Sequence, residues 1–143
     1  MLLILDTSVL ISVLVSRGKS YARDILRLAS NNKVTLITSS DAFTELRTTL
    51  KSDKIKKLIN YNPAKIGSFV AWYKYNAQFV TIPPEKTSSI SSRDMKDNIY
   101  VLLAEESKAD FLITIDNDLL ILKEIKTTQI TTPENFIKIF TPL

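Results

Sequence analysis

Short apolar runs alternate along this chain with longer stretches whose apolar positions recur at helical spacing. Leu2–Leu5 is wholly apolar, as expected of a strand covered on both faces. After Asp6-Thr7-Ser8, the apolar run from Val9 to Val15 reads as a buried helix, although periodicity by itself does not separate helix from strand there. Gly18 marks a break. Tyr21-Ala22, Ile25-Leu26 and Leu28-Ala29 then follow a helical period up to Ser30-Asn31-Asn32. Residues 34–38 read as a second strand. Thr38-Ser39-Ser40-Asp41 carries a capping signature, and Ala42, Phe43, Leu46 and Leu50 give the next helix an apolar face. Lys51 to Lys57 is a basic connection or short helix. Pro63 opens a long helix, with Phe69-Val70, Trp72-Tyr73, Asn76 and Phe79-Val80 on one side, ended by Thr81-Ile82-Pro83-Pro84. Glu85 to Ser92 is polar and serine-rich, a loop. Asp94-Met95-Lys96-Asp97 caps a helix through Ala104. Residues 111–115 form a third strand, Asp116-Asn117-Asp118 a turn, Gln129-Ile130-Thr131 a last strand, and Pro133-Glu134 opens a final helix to Ile139.

Strands that alternate with helices predict an α/β fold, a mainly parallel sheet of about four to five strands with helices on both faces. At 143 residues the chain is read as one domain over 1–143. Two glycines, Gly18 and Gly67, are too few for a phosphate-cradling loop. The absence of Cys and His carries more weight. It removes disulfides, thiolate or imidazole metal sites, thiol nucleophiles and the Ser-His-Asp arrangement. Hydrolytic chemistry must then run on carboxylates, hydroxyls, amines or a metal held by oxygen. Asp6 interrupts the N-terminal apolar stretch, which lacks the positive flank of a signal peptide, and no run is long enough to span a membrane. A cytoplasmic protein is the expectation.

In open α/β sheets, ligands bind at the carboxyl ends of the strands. Asp6 ends the first predicted strand and Asp116 the third. Glu45 lies in the helix after the second strand, and Asp94 and Asp97 open another helix. Each acid taken singly is explained as a cap, a turn or a solvated helix residue. Their joint placement is not. The fold would bring Asp6, Glu45, Asp97 and Asp116 to one end of the sheet. Carboxylates that close repel unless a cation joins them, and an all-oxygen set suits Mg²⁺ or Mn²⁺. Nineteen basic and fifteen acidic residues give +4; without those four acids, nineteen face eleven, or +8. An acidic pocket in a basic surface suits metal-assisted chemistry on a polyanion.

These residues make the sequence resemble the PIN-domain ribonucleases, particularly the VapC-like toxins of prokaryotic toxin–antitoxin pairs. The resemblance runs through Leu3-Ile4-Leu5-Asp6-Thr7-Ser8-Val9-Leu10, Thr38-Ser39-Ser40-Asp41-Ala42-Phe43-Thr44-Glu45-Leu46, Arg93-Asp94-Met95-Lys96-Asp97-Asn98 and residues 109–120, with Thr131-Thr132-Pro133-Glu134-Asn135-Phe136 as a closing strand–helix step. It implies a three-layer α/β/α PIN-like fold and places the acidic quartet on Asp6, Glu45, Asp97 and Asp116. Asp118 matches a further acid near the metals, and Asp94 an acid preceding the third motif. Ser8 stands where the family often has Asn, and Ile115 where it often has Gly. The implied activity is cleavage of RNA by metal-activated water, leaving a 5′-phosphate, with Mg²⁺ or Mn²⁺ on Asp6, Asp97 and Asp116, and Glu45 and Asp118 completing the set. An antitoxin protein and a second copy of the chain are the implied partners.

Two further features belong to the same reading. Phe69, Trp72, Tyr73, Tyr75 and Phe79 suit core packing before an interface. Lys51, Lys54, Lys56 and Lys57 form a basic cluster, either a solvated face or a contact to an RNA backbone. The rival functions are a non-catalytic PIN-like binding module and a phosphotransferase of the haloacid-dehalogenase type, whose second Asp is Ser8 here.

Overall fold

The computed structural model describes residues 1–60, 62–87 and 95–140, with nothing stated of the side chains of residues 87 and 95–98. Its strands are β1 (Leu2–Leu5), β2 (Thr35–Thr38), β3 (Gln78–Phe79), β4 (Phe111–Ile113), β5 (Glu124–Ile125) and β6 (Thr128–Thr131). The helices are α1 (Thr7–Val15), α2 (Tyr21–Ser30), α3 (Ser40–Leu50), α4 (Asp53–Leu58), α5 (Pro63–Asn76), α6 (Pro84–Thr87), α7 (Met95–Ser107), α8 (Asn117–Leu120) and α9 (Pro133–Phe140).

The sheet runs β3-β2-β1-β4-β6-β5. All neighbours pair in parallel except β5 and β6. Leu3 lies beside Leu36 on one side and Phe111 on the other. The chain therefore builds outward from β1 through β2 to β3, then returns to add β4 on the opposite side. The switch point falls between β1 and β4, where such sheets open their ligand crevice.

Period-two alternation divides the core. Leu3, Leu5, Leu36 and Ile113 pack with residues of α1, α2, α3, Tyr73 and Phe136. Ile4, Ile37 and Leu112 pack on the other face with Tyr100, Leu103 and Ala104 of α7, and with Ile130. This gives the expected three layers, α/β/α around a mainly parallel sheet.

Several elements differ from the sequence expectation. The sheet has two more short strands than the apolar runs announce. The helix from Pro63 ends at Asn76, not at Val80: Ala77 turns extended (φ −85, ψ 142), and Gln78–Phe79 pairs with Ile37-Thr38 as an edge strand. A two-residue strand leaves no alternation to read. Strand β5 pairs back on β6 around Lys126, which takes positive φ. Residues 84–87 form a helical turn where a loop is expected, and Lys51 to Lys57 resolves as the short helix α4, capped by Ser52. Asp116-Asn117-Asp118 enters a helix, with Asp116 as its N-cap. The expected cap at Asp94 and the loop residues 88–92 lie outside the described residues.

On α5, Tyr73 is buried, and Phe69 and Trp72 pack partly buried against the core, as the core reading expects. Tyr75 departs from it at 89% exposure. Phe79 belongs to β3 and meets the Phe43 ring edge-on at 5.6 Å.

Candidate active site

Asp6 is the residue that follows β1, and it caps α1. Its Oδ1 accepts from the Val9 N–H at 3.1 Å and from Ser8 Oγ at 2.6 Å. Its backbone N–H donates to the Ile113 carbonyl at 3.1 Å, locking the end of β1 to β4. The second oxygen, Oδ2, accepts from Thr114 Oγ1, and that hydroxyl accepts in turn from the Asp116 N–H at 2.9 Å. The two strand ends are thus joined through one carboxylate and one threonine.

Asp6 is almost fully buried. Burial pushes its carboxyl above the usual range, the Ser8, Thr114 and Val9 hydrogen bonds act against this, and the nearby Asp116 charge raises it further. Asp116 is half-buried, and its Oδ1 accepts from the Asp118 N–H at 2.9 Å. The Asp118 side chain is exposed. Glu45, half-buried on α3, reaches the same end of the sheet through Thr7, whose Oγ1 donates to Glu45 Oε2 at 2.7 Å. Thr7 Oγ1 also bonds the Tyr100 hydroxyl of α7. Burial, and behind it the Glu45 charge, hold that phenol well above its ordinary pKa, so it keeps its proton.

The structure therefore brings Asp6 and Asp116 together across the switch point and ties Glu45 in through a hydroxyl. Asp97 is on α7, about one turn before Tyr100, and its side chain lies outside the described residues, as does Asp94. Among the described residues no group of three acidic side chains is set to hold a metal ion. The donor chemistry nevertheless fits a hard cation. Every donor is oxygen. A carboxylate oxygen offers two lone pairs, so Asp6 Oδ1 is filled by its two donors, while among the described residues Oδ2 has a single donor, Thr114. Burial and Asp116 both favour the neutral acid, a bias that positive charge at Oδ2 would remove.

Ser8, which stands where the family often has Asn, donates its hydroxyl to Asp6. Ile115 in place of glycine strains nothing, since it is not among the left-handed positions Asn32, Asn60, Lys108, Lys123 and Lys126 of the described residues. The sequence reading missed Thr7, Thr114 and Tyr100. Thr7 and Thr114 lie within two positions of Asp6 and Asp116, a signal that could have found them. Tyr100 gave no local signal, because its partner is distant in the chain.

The site is thus an all-oxygen set of side chains at the switch point of a doubly wound sheet. A family model described as PIN domain matches residues 3–118. The chain belongs to the PIN-domain family. Two solved structures share the fold at 16% identity. One is VapBC2 from Rickettsia felis, bound to a DNA fragment from their promoter, with a TM-score of 0.58 over 91% of this chain and 97% of that one. The other is PAE2754 from Pyrobaculum aerophilum, with a TM-score of 0.61 over 96% of each chain. No curated protein matches the sequence.

Proposed function

We propose that this PIN domain is a metal-dependent endoribonuclease and the toxin of a toxin–antitoxin pair. The observation that carries the reading is Asp6, a buried carboxylate held by two hydroxyls and a backbone N–H and turned toward Asp116 at the switch point. Family membership and the likeness to a chain of VapBC2 support it.

Asp6, Glu45, Asp97 and Asp116, with Asp118, would hold Mg²⁺ or Mn²⁺. When bound, the cation supplies Lewis acidity that lowers the pKa of water and offsets charge developing on the phosphate. Ser8 and Thr114 fix the Asp6 carboxylate so that no reorganisation is needed during the reaction. Thr114 also sets the Asp116 backbone through its accepted N–H. The chain has no histidine, so no imidazole serves as base. The substrate is an RNA phosphodiester, the product carries a 5′-phosphate, and an antitoxin and a second copy of the chain are partners in the cytoplasm. No helix among the described residues is long and apolar enough to cross a membrane.

Purified protein is incubated with labelled, structured RNA in Mn²⁺, Mg²⁺ or EDTA, beside Asp116→Asn. The expected outcome is cleavage with either cation, none in EDTA, and a loss of at least ~100-fold in the variant. Folded protein that neither cleaves nor takes up Mn²⁺ by calorimetry would support a binding module instead.

The basic cluster on and before α4 is proposed to contact the RNA backbone. Lys51, Lys54 and Lys57 are exposed. Reversing these three to Glu is expected to weaken RNA binding about tenfold at physiological salt and to flatten its dependence on log salt by roughly one unit per lost phosphate contact. Filter binding across a salt series measures both; an unchanged slope removes the cluster from the interface.

A further inference from the structure

We infer that Tyr100 and Thr7 are positioning residues, a two-hydroxyl clamp that fixes the Glu45 carboxylate and pins helix α7 to the start of α1. The inference rests on the nuclease reading of the site. Thr7 Oγ1 carries one proton and donates it to Glu45 Oε2 at 2.7 Å. The bond between Thr7 Oγ1 and the Tyr100 hydroxyl must then run from Tyr100 to Thr7. The direction of the whole line is fixed, and it ends on a carboxylate of the site.

The location of the clamp gives it more than a local role. Thr7 follows Asp6 directly in the chain. Glu45 is carried by α3, and Tyr100 stands about one turn after Asp97 on α7. The three segments that carry Asp6, Glu45 and Asp97 are thus joined by one continuous line of hydrogen bonds. Both hydroxyls are shielded from water, with Tyr100 4% and Thr7 9% exposed. Water competes little for these bonds, and each polarises the next. Tyr100 otherwise packs among apolar groups such as Ile4, Leu103 and Leu112, where a phenylalanine ring would fill the same volume. The hydroxyl is what the clamp requires. A glutamate side chain with free rotamers must be ordered before it can serve a cation, and the clamp does this in advance.

The test uses the full chain with Tyr100→Phe, Thr7→Val and Thr7→Ser. Three quantities are read: the Mn²⁺ dissociation constant by calorimetry without RNA, kcat and KM for RNA cleavage, and the melting temperature in EDTA. Tyr100→Phe and Thr7→Val are expected to weaken Mn²⁺ binding by roughly tenfold and to lower kcat with little change in KM. Thr7→Ser, which keeps the hydroxyl, is expected to rescue both. Variants that melt earlier yet bind Mn²⁺ and turn over like wild type would reduce the pair to a structural contact and overturn the inference, leaving the nuclease reading intact. A folded wild type without Mn²⁺ uptake would overturn both. Should Tyr100→Phe fail to fold, Thr7→Val against Thr7→Ser decides the same question.

Discussion

Asp6→Asn is expected to stop RNA cleavage while making the metal-free protein more stable at neutral pH. The loss of cleavage follows from removing the carboxylate on which the strand ends converge; displacing one preorganised charge of this kind costs at least ~100-fold in rate. The gain in stability follows from burial. The folded Asp6 carboxyl is raised above its ordinary value of 3.8, so just above that pH the folded chain keeps its proton more tightly than the unfolded chain does. Below about pH 4 both states are protonated and burial imposes no penalty. As pH rises from there, the unfolded state ionises first and wild-type stability falls, levelling once the folded carboxyl has also ionised. Asparagine has no such step. Its carbonyl can accept from Ser8 and Val9, and its amide can face Thr114, so the hydrogen bonds are re-formed. In EDTA at pH 7 the variant should melt higher, by roughly 4 °C for each kcal/mol relieved at this chain length. Its melting temperature should also lack the decline that wild type shows as pH rises above about 4. Mn²⁺ should narrow the gap by stabilising wild type alone. A variant that cleaves like wild type removes Asp6 from the site, and one that melts no higher at pH 7 removes the burial argument.

Phe136→Ala is expected to destabilise the protein by about 3–5 kcal/mol, a large share of the ~5–15 kcal/mol available to a domain. Phe136 is fully buried on α9, 18 residues beyond the end of the PIN match at 118. Its ring lies edge-on to Phe111 of β4 at 5.4 Å and stacks on Phe140 at 5.7 Å. Helix α9 packs against α2 and closes the core face that holds Leu3, Leu5 and Ile113. Alanine would leave a cavity beneath β1 and β4, the two strands that carry Asp6 and Asp116. Urea denaturation measures the loss. A change under about 1 kcal/mol would mean that α9 docks without supporting the core. Cleavage by the variant, assayed well below its midpoint, should be largely retained, since no side chain of the site is altered.

Much of this molecule is written locally in its sequence. The apolar runs expected as strands at Leu2–Leu5, 34–38, 111–115 and 129–131 became β1, β2, β4 and β6, with β2 one residue and β4 two residues shorter than expected and β6 one residue longer, because so short a run leaves few residues to bear on the choice. The Thr38-Ser39-Ser40-Asp41 signature resolved to Ser39 as the cap, accepting from the Ala42 N–H at 3.2 Å. Pro63 opened α5 behind an Asn62 cap, since a missing N–H is harmless at a helix start. The placing of Asp6 and Asp116 after strands was legible for the same reason, and so was an oxygen-only site, because the composition holds no histidine or cysteine.

What the sequence left open depends on residues far apart along the chain. Gln78 and Phe79 carry a helical period and became a strand because the open edge of β2 offered them hydrogen bonds, which local propensity cannot foresee. The return of β5 onto β6 was hidden because its left-handed residue is Lys126 rather than a glycine. Strand order decided that the ends of β1 and β4 would be neighbours, and with it that Thr114 would reach Asp6 across 108 positions of sequence. The meeting of Tyr100, Thr7 and Glu45 is of the same kind. The acids themselves were set by sequence, residue by residue. The burial of Asp6 and its hydrogen bond from Thr114 exist only once the sheet has closed, because a hydrogen bond between distant residues has no local energy for a sequence pattern to record.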